Sequence, residues 1–575
     1  MNPRLPYRSE NAQAARRPAW GVGLALIALY AFFGLFLLWP IAYVVRESVW
    51  IDGRLTPAFF GLMLRDETLR ACLKNSLGIA LLVTAGTSLL TLPLASALVR
   101  LRFAGKALLH GLLLVPLIMP PFVGAIGLRK IFSRAGTLNI VLVEKLGWIR
   151  EPIDWFESGF WGVVLLEILH LYPIMMLNLA AALANIDPSL EEAAANLGAG
   201  RWRRFRTVTF PLARPGYFAG AVIVFIWAFT DLGTPLMFDF RRVVPVQIFD
   251  RVKDIHSNPL GYALVVLVIL LTAGVFVLSR RLAGTADQGM MGRGHTGGAE
   301  RPAAPWEAAA VWAGGGLLVT VALLPHAGVM LASLARPGRW FMTTLPTEWT
   351  LEHYAAVFSR PDTLGSIRNS LFYSSLSTLL DILLGVAIAW LILRRRAPTG
   401  AVLDTLAMMP LALPGVVLAF GYVVTFAGTP LDPRRDPTAL LVLGYAVRRL
   451  PYMIRAAYAG LQQTSVTFEE ASASLGAGPW RTLWRITLPL VSGNLIAGGV
   501  LAFAFAMLEV SDSLILAMHE RFFPIAKKIY VLYLRLGDGE QIASAMGMLG
   551  MTLLAVSLLV AAKVLGRRMG QLFRA

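Results

Sequence analysis

The hydrophobic residues of this chain fall into long runs, rather than at the spacing of an amphipathic helix or strand. Short polar stretches that carry charged residues separate the runs. A helix needs roughly 20 apolar residues to cross a bilayer core about 30 Å thick, and the runs reach that length. The pattern predicts twelve membrane-spanning helices, near residues 20–45, 75–99, 107–128, 159–184, 216–238, 259–279, 306–334, 369–393, 401–427, 438–461, 490–516 and 541–565.

The second half of the chain is a copy of the first. Gly127 corresponds to Gly421 at an offset of 294, whereas Gly198 corresponds to Gly476 at an offset of 278. The second copy is therefore shorter by 16 residues, lost between its third and fourth spans. Each copy has an even number of spans, so both face the same way and form a pseudo-two-fold axis along the membrane normal. We predict an all-α, polytopic membrane protein made of two parallel six-helix repeats.

A stretch rich in Gly, Ala and charge separates the two copies and is typical of a linker. The resulting boundaries are a tail at 1–19, a first repeat at 20–282 with its core at about 71–282, a linker at 283–305, and a second repeat at 306–575 with its core at about 366–567.

Composition agrees with a membrane protein. The chain is 57% hydrophobic and only 15% charged, whereas about a quarter of the residues in a soluble domain are charged. Trp20–Val45 carries no charge and has no small-residue cleavage site after a short apolar core, so we expect a retained span. The net charge of +18 needs no nucleic-acid partner, because basic residues commonly flank spans. Total Lys and Arg counts do not orient the chain, although the clusters at 280–281 and 394–396 favour a cytoplasmic position for their side.

One polar stretch occurs twice, at residues 191–215 and 469–493, each time after the fourth span of its copy. In the first copy Ser189 stands three residues before Glu192, and Thr467 repeats this spacing in the second copy. This spacing predicts a capping box, in which a hydroxyl and a carboxylate satisfy backbone N–H groups at the start of a helix.

Glycine and proline delimit the rest of the repeated stretch. We expect Gly198 and Gly476 to end the capped helix in a left-handed conformation. A second short amphipathic helix follows, and we expect Pro211 and Pro489 to break the chain before the next span. One interpretation is a hairpin that only connects two spans. Two copies with identical spacing favour instead a docking element for a partner with two equivalent sites.

Charged residues inside spans are costly and mark functional candidates. Asp231 and Glu509 occupy equivalent positions in the fifth and eleventh spans, and we expect them to face one another across a central pathway. The alternative is that each hydrogen-bonds a neighbouring helix or lies near the outer headgroups. For Glu167, His170 and Asp381 a structural role is the favoured interpretation.

Pro120 and Pro414 interrupt the third and ninth spans. Proline in a span frees backbone groups that protein or a water-filled cavity must satisfy, so we expect these residues to line the pathway or to form simple kinks. The chain has no G-x-x-x-x-G-K-[ST] phosphate-binding loop and a single cysteine. We therefore predict no catalytic residues, no metal site and no cofactor.

The repeated stretch resembles the signature of permease subunits of binding-protein-dependent ABC importers: E-A-A, three residues, Gly, nine residues, I-x-L-P. The departures are mild, with Val208 for Ile, Phe210 for Leu and Ser472 for the second Ala. The residues that the resemblance assigns to ATPase coupling are Glu192, Ala193, Ala194, Gly198 and Pro211 in the first copy, and Glu470, Ala471, Ser472, Gly476 and Pro489 in the second.

The resemblance implies the type I ABC importer permease fold, with the repeated loops in the cytoplasm as coupling helices. It implies two cytoplasmic ATPase subunits per chain, a periplasmic or surface-tethered solute-binding protein, and the lipid bilayer as partners. A fused double permease resembles the iron(III), 2-aminoethylphosphonate and thiamine importers. "FTDLGTPLMF" at 229–238 and "LEVSDSLILA" at 508–517 are most similar to the first two, with iron(III) the expected solute.

Two other classes share some of these features. A secondary transporter with six plus six spans has the same duplication, but it has no need of duplicated coupling loops. A polytopic membrane enzyme needs a nucleophile, metal ligands or a nucleotide site, and the sequence shows no such constellation.

Overall fold

The computed structural model describes residues 19–51, 53–156, 159–252, 260–283, 300–395, 397 and 399–565. Most of the predicted tail at 1–19 and of the predicted linker at 283–305 lies outside these residues.

Helices dominate the described residues. The first half contains α1 Ala19–Phe33, α2 Trp39–Val49, α3 Ala58–Arg65, α4 Glu67–Arg100, α5 Lys106–Leu114, α6 Pro121–Phe132, α7 Thr137–Ile140, α8 Phe160–Ala184, α9 Pro188–Asn196, α10 Arg201–Arg204, α11 Phe210–Thr230, α12 Gly233–Met237, α13 Val244–Arg251 and α14 Leu260–Ala283. The second half contains α15 Pro305–Leu334, α16 Glu352–Ser359, α17 Pro361–Leu393, α18 Gly400–Met408, α19 Gly415–Thr425, α20 Thr438–Gln463, α21 Thr467–Ser474, α22 Pro479–Thr482, α23 Leu488–Met507, α24 Ser511–Leu516, α25 Ile525–Tyr533 and α26 Gly539–Leu565. The strands form two short pairs, β1 Trp50–Ile51 with β2 Arg54–Leu55 and β3 Leu101–Arg102 with β4 Arg301–Pro302.

All twelve predicted spans coincide with helices or bent helix pairs. Among the described residues, nine helices are long and apolar enough to cross a membrane, and two bent pairs raise the number to eleven. The remaining predicted span coincides with α20, whose 26 residues are long enough to cross but include Arg448, Arg449 and Arg455. The structure is thus all-α, with six predicted spans in each repeat.

Both third spans bend sharply at a proline. The helices on either side of Pro120 meet at 98°, and those on either side of Pro414 meet at 102°. Each proline is the N-cap of the helix that follows, and its carbonyl accepts the first backbone hydrogen bond, from Val123 at 3.0 Å and from Val417 at 3.1 Å. The breaks are sharp because proline cannot donate to the preceding turn.

The fifth span of each repeat is also interrupted. Helix α11 ends at Thr230, and α12 begins two residues after Asp231. In the second repeat α23 ends at Met507, and Glu509 lies in the break before α24. Both acidic candidates therefore lie at helix breaks, where backbone groups are free, rather than along continuous helices.

The first span of each repeat packs against the third span of the other. Helix α2 contacts α19, and α15 contacts α6. Gly127 and Gly328 touch along their backbones, and the Tyr422 hydroxyl donates to the Phe36 carbonyl at 2.8 Å. We call this arrangement, in which each first span packs on the other repeat, the exchange of the first spans. It places residues of both repeats in one continuous hydrophobic core.

The shortening of the second repeat lies where the sequence comparison places it. The connection between α6 and α8 is longer than the one between α19 and α20. Asn139 organises the longer connection by bonding the backbone of Ile153 in both directions, at 2.7 and 3.1 Å. In the shorter connection Asp432 accepts from the Gly428 amide at 2.8 Å, and the Arg434 guanidinium holds the pKa of Asp432 well below its usual range.

Gly127→Ala tests the crossing of α6 and α15. A methyl group there would collide with the Pro325 carbonyl and lie 2.6 Å from the Val329 nitrogen, and backbone cannot move aside cheaply. We expect a loss of about 1–3 kcal/mol in the unfolding free energy of the detergent-solubilised protein. Gly316→Ala is the matched control in α15, because nothing lies within 4 Å of its added methyl group. Equal stability of the two variants would contradict this packing.

Candidate functional site

The first repeated loop begins with a capped helix, but its cap differs from the predicted one. Asp187 is the N-cap of α9, and its Oδ1 accepts from the Ser189 amide at 2.9 Å. Ser189 therefore lies inside the helix, and the predicted capping box is wrong. The reason is Pro188, whose fixed φ suits the first helical position. The helix therefore starts earlier in the chain than the capping box would place it.

The second loop also lacks the predicted capping box. Helix α21 starts at Thr467, and its N-cap Val466 makes no side-chain hydrogen bond to the helix. The Thr467 hydroxyl instead lies 2.6 Å from the Ser465 hydroxyl. The two copies thus share their helix but start it in different ways.

The predicted glycine stops are confirmed at both loops. Gly198 and Gly476 each have φ +80°. The Gly198 amide donates to the Ala195 carbonyl at 2.9 Å, and the next amide donates to Ala194 at 3.0 Å. The second loop repeats both bonds, at 2.9 and 3.1 Å. This pair of bonds is the Schellman motif, which satisfies the last carbonyls of a helix and needs a left-handed residue.

Pro211 and Pro489 do not break the chain, contrary to expectation. Each occupies the second position of the fifth-span helix, and the helix runs into it without a gap. A single turn of π-helix precedes each proline, over Phe205–Thr209 and Leu483–Thr487. The wider turn accommodates the proline ring, which would clash with the preceding carbonyl of a regular α-helix. The loop and the fifth span are therefore continuous.

Each loop exposes a leucine and a tryptophan at equivalent positions. Leu197 and Leu475 are both 88% exposed, and Trp202 and Trp480 are 72% and 70% exposed. The motif residues Glu192, Ala193, Glu470 and Ala471 are also exposed. The second small residue of each motif is half-buried; Ser472 bonds the Thr482 hydroxyl at 2.9 Å.

Sequence reasoning did not single out Leu197 and Leu475. The available signal was a leucine immediately before each helix-ending glycine, in an otherwise small and polar stretch.

The four pathway candidates lie around one central region. A methyl group at Gly233 would meet Phe122 at 2.9 Å and Val510 at 3.0 Å, so the two fifth-span breaks touch each other. Pro120 lines a small cleft with Met507 and Leu508 of the other repeat. Next to Pro414, a side chain at Gly415 would collide with the guanidinium of Arg448. The structure therefore brings the four breaks together, as the pseudo-two-fold axis requires.

Asp231 and Glu509 have different surroundings despite their equivalent positions. Asp231 accepts from the Thr234 amide at 2.8 Å, and the Thr234 hydroxyl donates to Glu167 at 2.9 Å. Glu509 binds Arg448 and Arg449, one on each carboxylate oxygen. No hydrogen bond or ion pair joins Asp231 to Glu509 among the described residues.

The sequence comparison missed the two arginines because the equivalent positions of the first repeat hold no arginine or lysine. Arg448 occupies the position of His170, which lies 3.2 Å from the Pro116 carbonyl through its Nδ1. Asp512 replaces Thr234 and lies 3.7 Å from Arg448. The second repeat thus carries compensated charges where the first has two neighbouring carboxyl groups.

Residues 89–288 and 381–571 match the protein family described as "binding-protein-dependent transport system inner membrane component", one match in each repeat and more than half of the chain in total. The chain belongs to this family. It is a multi-pass permease of the bacterial inner membrane, made of two fused family domains. A permease of this kind implies a solute-binding partner and an ATPase partner.

Two relatives of this permease are named as ferric transport permeases. A putative ferric transport system permease of Haemophilus influenzae is 28% identical over 85% of this chain and 76% of its own length. A ferric transport system permease of Actinobacillus pleuropneumoniae is 27% identical over 90% and 74%. A putative 2-aminoethylphosphonate permease of Salmonella typhimurium is 28% identical over 46% of this chain and 93% of its own length.

Gly198→Val is expected to impair transport while the permease still inserts, because a β-branched residue cannot readily adopt φ +80°. The same holds for Gly476→Val. A Cβ atom added at either glycine would meet nothing within 4 Å, so backbone conformation alone is tested. Gly198→Asn is the matched control, since asparagine tolerates the left-handed region and should keep most of the activity. Equal uptake by the Val and Asn variants in membrane vesicles would contradict the explanation.

Glu509→Gln is expected to lower the stability of the folded permease, because it removes the carboxylate that both Arg448 and the buried Arg449 bind. Removing one partner of a buried ion pair costs about 3–5 kcal/mol. Asp231 pairs with no arginine among the described residues, so Asp231→Asn should leave the stability nearly unchanged. Unfolding of both variants in detergent measures the difference. Similar losses would show that the environments of Asp231 and Glu509 are not distinct.

Proposed function

We propose that this permease forms the translocation pathway of an ATP-driven importer and that its two loops dock on two ATPase subunits. The observation that carries the proposal is the same exposed leucine–tryptophan pair on both loops. Large apolar side chains on an otherwise polar loop favour a protein interface, and tryptophan is frequent among the residues that dominate binding. Two equivalent surfaces on one chain require two equivalent partners.

Motion of the loops has a direct route to the centre of the membrane. Each loop continues through the π-turn into the fifth-span helix, without a hinge at Pro211 or Pro489. These helices end at the breaks that hold Asp231 and Glu509. When ATP closes the ATPase pair, the loops are drawn together, and the pathway changes from inward-facing to outward-facing so that the binding protein can release its solute.

We propose that four residues line this pathway: Asp231, Glu509, Pro120 and Pro414. Their common location supports it, since interrupted spans are tolerated where protein or a water-filled cavity surrounds them. The acidic character of this pathway comes mainly from the first repeat, because Arg448 and Arg449 compensate the charge of Glu509.

Iron(III) is the proposed solute. The support comes from the two ferric transport relatives, each aligned over most of this chain, and from the carboxyl groups of Glu167 and Asp231, which both bond Thr234 and offer oxygen ligands to a cation. 2-Aminoethylphosphonate is the alternative, since a permease named for it aligns with nearly half of the chain. Thiamine remains the third candidate of the resemblance. ATP hydrolysis is supplied by the separate ATPase chains.

Reconstitution of the permease with its ATPases and binding protein in proteoliposomes tests the proposal. We expect ATP-dependent uptake of ferric iron and no uptake of 2-aminoethylphosphonate or thiamine. Native mass spectrometry should find one permease chain per two ATPases. Uptake driven by an ion gradient without ATP, or two permease chains per complex, would contradict the mechanism. Uptake of another solute would change only the solute assignment.

A further inference from the structure

The glutamate that ties each loop to the membrane domain is the one before the motif glutamate. In the first repeat Glu191 binds the guanidinium of Arg100, the last residue of α4. The same carboxylate oxygen accepts from the Thr209 hydroxyl at 2.5 Å, at the end of the π-turn. Arg100 also lies 3.4 Å from that hydroxyl. We call these three residues the Arg100 brace.

The second repeat contains the same arrangement. Glu469 binds Arg394 at 3.1 Å and accepts from the Thr487 hydroxyl at 3.2 Å. Arg394 directly follows α17, the second-span helix. We call Arg394, Glu469 and Thr487 the Arg394 brace. The glutamates and threonines of the two braces are related by the offset of 278, and the arginines by 294.

Each brace joins three elements that are far apart in the chain. The arginine ends the second span, the glutamate lies in the first turn of the loop helix, and the threonine lies where the fifth span begins. Thr209 and Thr487 are buried, and the paired side chains are largely shielded from solvent. A shielded, charge-assisted hydrogen bond resists displacement better than an exposed ion pair.

We propose that Glu191 and Glu469 are positioning residues, which make each loop helix move as one body with the second and fifth spans. This inference rests on the proposed docking of the loops on ATPases. The motif glutamates Glu192 and Glu470 are exposed on the same helices, so adjacent glutamates have different roles. The motif glutamate contacts the partner, and the glutamate before it passes the displacement to the membrane domain.

The two braces differ in one respect that sharpens the test. Arg394 also donates to the carbonyls of Leu461 and Thr464, at 3.0 and 2.9 Å, and so caps the end of α20. Arg100 makes no such contact among its described hydrogen bonds. A carboxylate in place of Arg100 could re-form the pair in reversed polarity. A carboxylate in place of Arg394 could not donate to the two carbonyls.

The experiment measures solute moved per ATP hydrolysed, together with co-purification of the ATPases with the full permease. We expect Glu191→Gln and Glu469→Gln to lower this ratio by about ten-fold, within the usual range for coupled sites, while the complex still assembles. Exchanging the charges, with Arg100→Glu plus Glu191→Arg, should restore most of the ratio. The matching exchange of Arg394 and Glu469 should not. Thr209→Val should lower the ratio, and Thr209→Ser should preserve it.

Glu192→Gln and Glu470→Gln separate this inference from the docking proposal. These variants should weaken co-purification of the ATPases, whereas Glu191→Gln and Glu469→Gln should leave co-purification intact. If the brace variants keep a normal ratio, or lose assembly and transport in parallel, the brace is not a transmitting element, whereas the docking proposal stands. If neither the motif glutamates nor the glycine variants affect ATPase association, the docking proposal itself fails.

Discussion

The backbone inside a membrane must satisfy its own hydrogen bonds, and this constraint governs the whole structure. In the described part of the chain four spans are interrupted, at Pro120, Asp231, Pro414 and Glu509, and each interruption frees backbone groups. Such breaks are tolerated only where protein surrounds them or a water-filled cavity meets them. The two repeats therefore bring their breaks together at the axis and exchange their first spans around them. The close approach of Gly127 to Gly328 is what permits this exchange on one side.

The repeats are alike at their surfaces and unlike at their centre. Both loops use the same glycine stop, the same π-turn and the same exposed leucine–tryptophan pair. At the axis, His170 and Thr234 are replaced by Arg448 and Asp512, so the second repeat neutralises its acidic residues. Under the proposed docking, equivalent partners account for the shared geometry of the two loops, since each loop must fit the same kind of site. In the proposed pathway a solute meets both repeats at once, so the two inner surfaces are free to differ.

The continuity between loop and fifth span is a mechanical property of the helix. An ordinary proline near a helix start would permit a bend, but the π-turn removes the clash and keeps the chain helical. The Arg100 and Arg394 braces then add the second span to the same unit. In the proposed mechanism, a displacement of a loop reaches the central breaks through continuous helix rather than through a flexible connection.

Much of this protein is determined by local sequence. Long apolar runs predict the spans, and a glycine after each loop helix predicts a left-handed stop, because both depend on residues close together in the chain. The repeated offsets predict the duplication, because the two copies can be compared directly. The helix starts were predicted wrongly, since Asp187 and Pro188 compete with Ser189 for the first turn and pattern alone does not rank them. Only the tertiary structure paired Glu509 with Arg448 and Arg449, placed Glu191 rather than Glu192 against Arg100, and exchanged the first spans. Those contacts join residues tens to hundreds of positions apart, and their geometry depends on how whole helices pack.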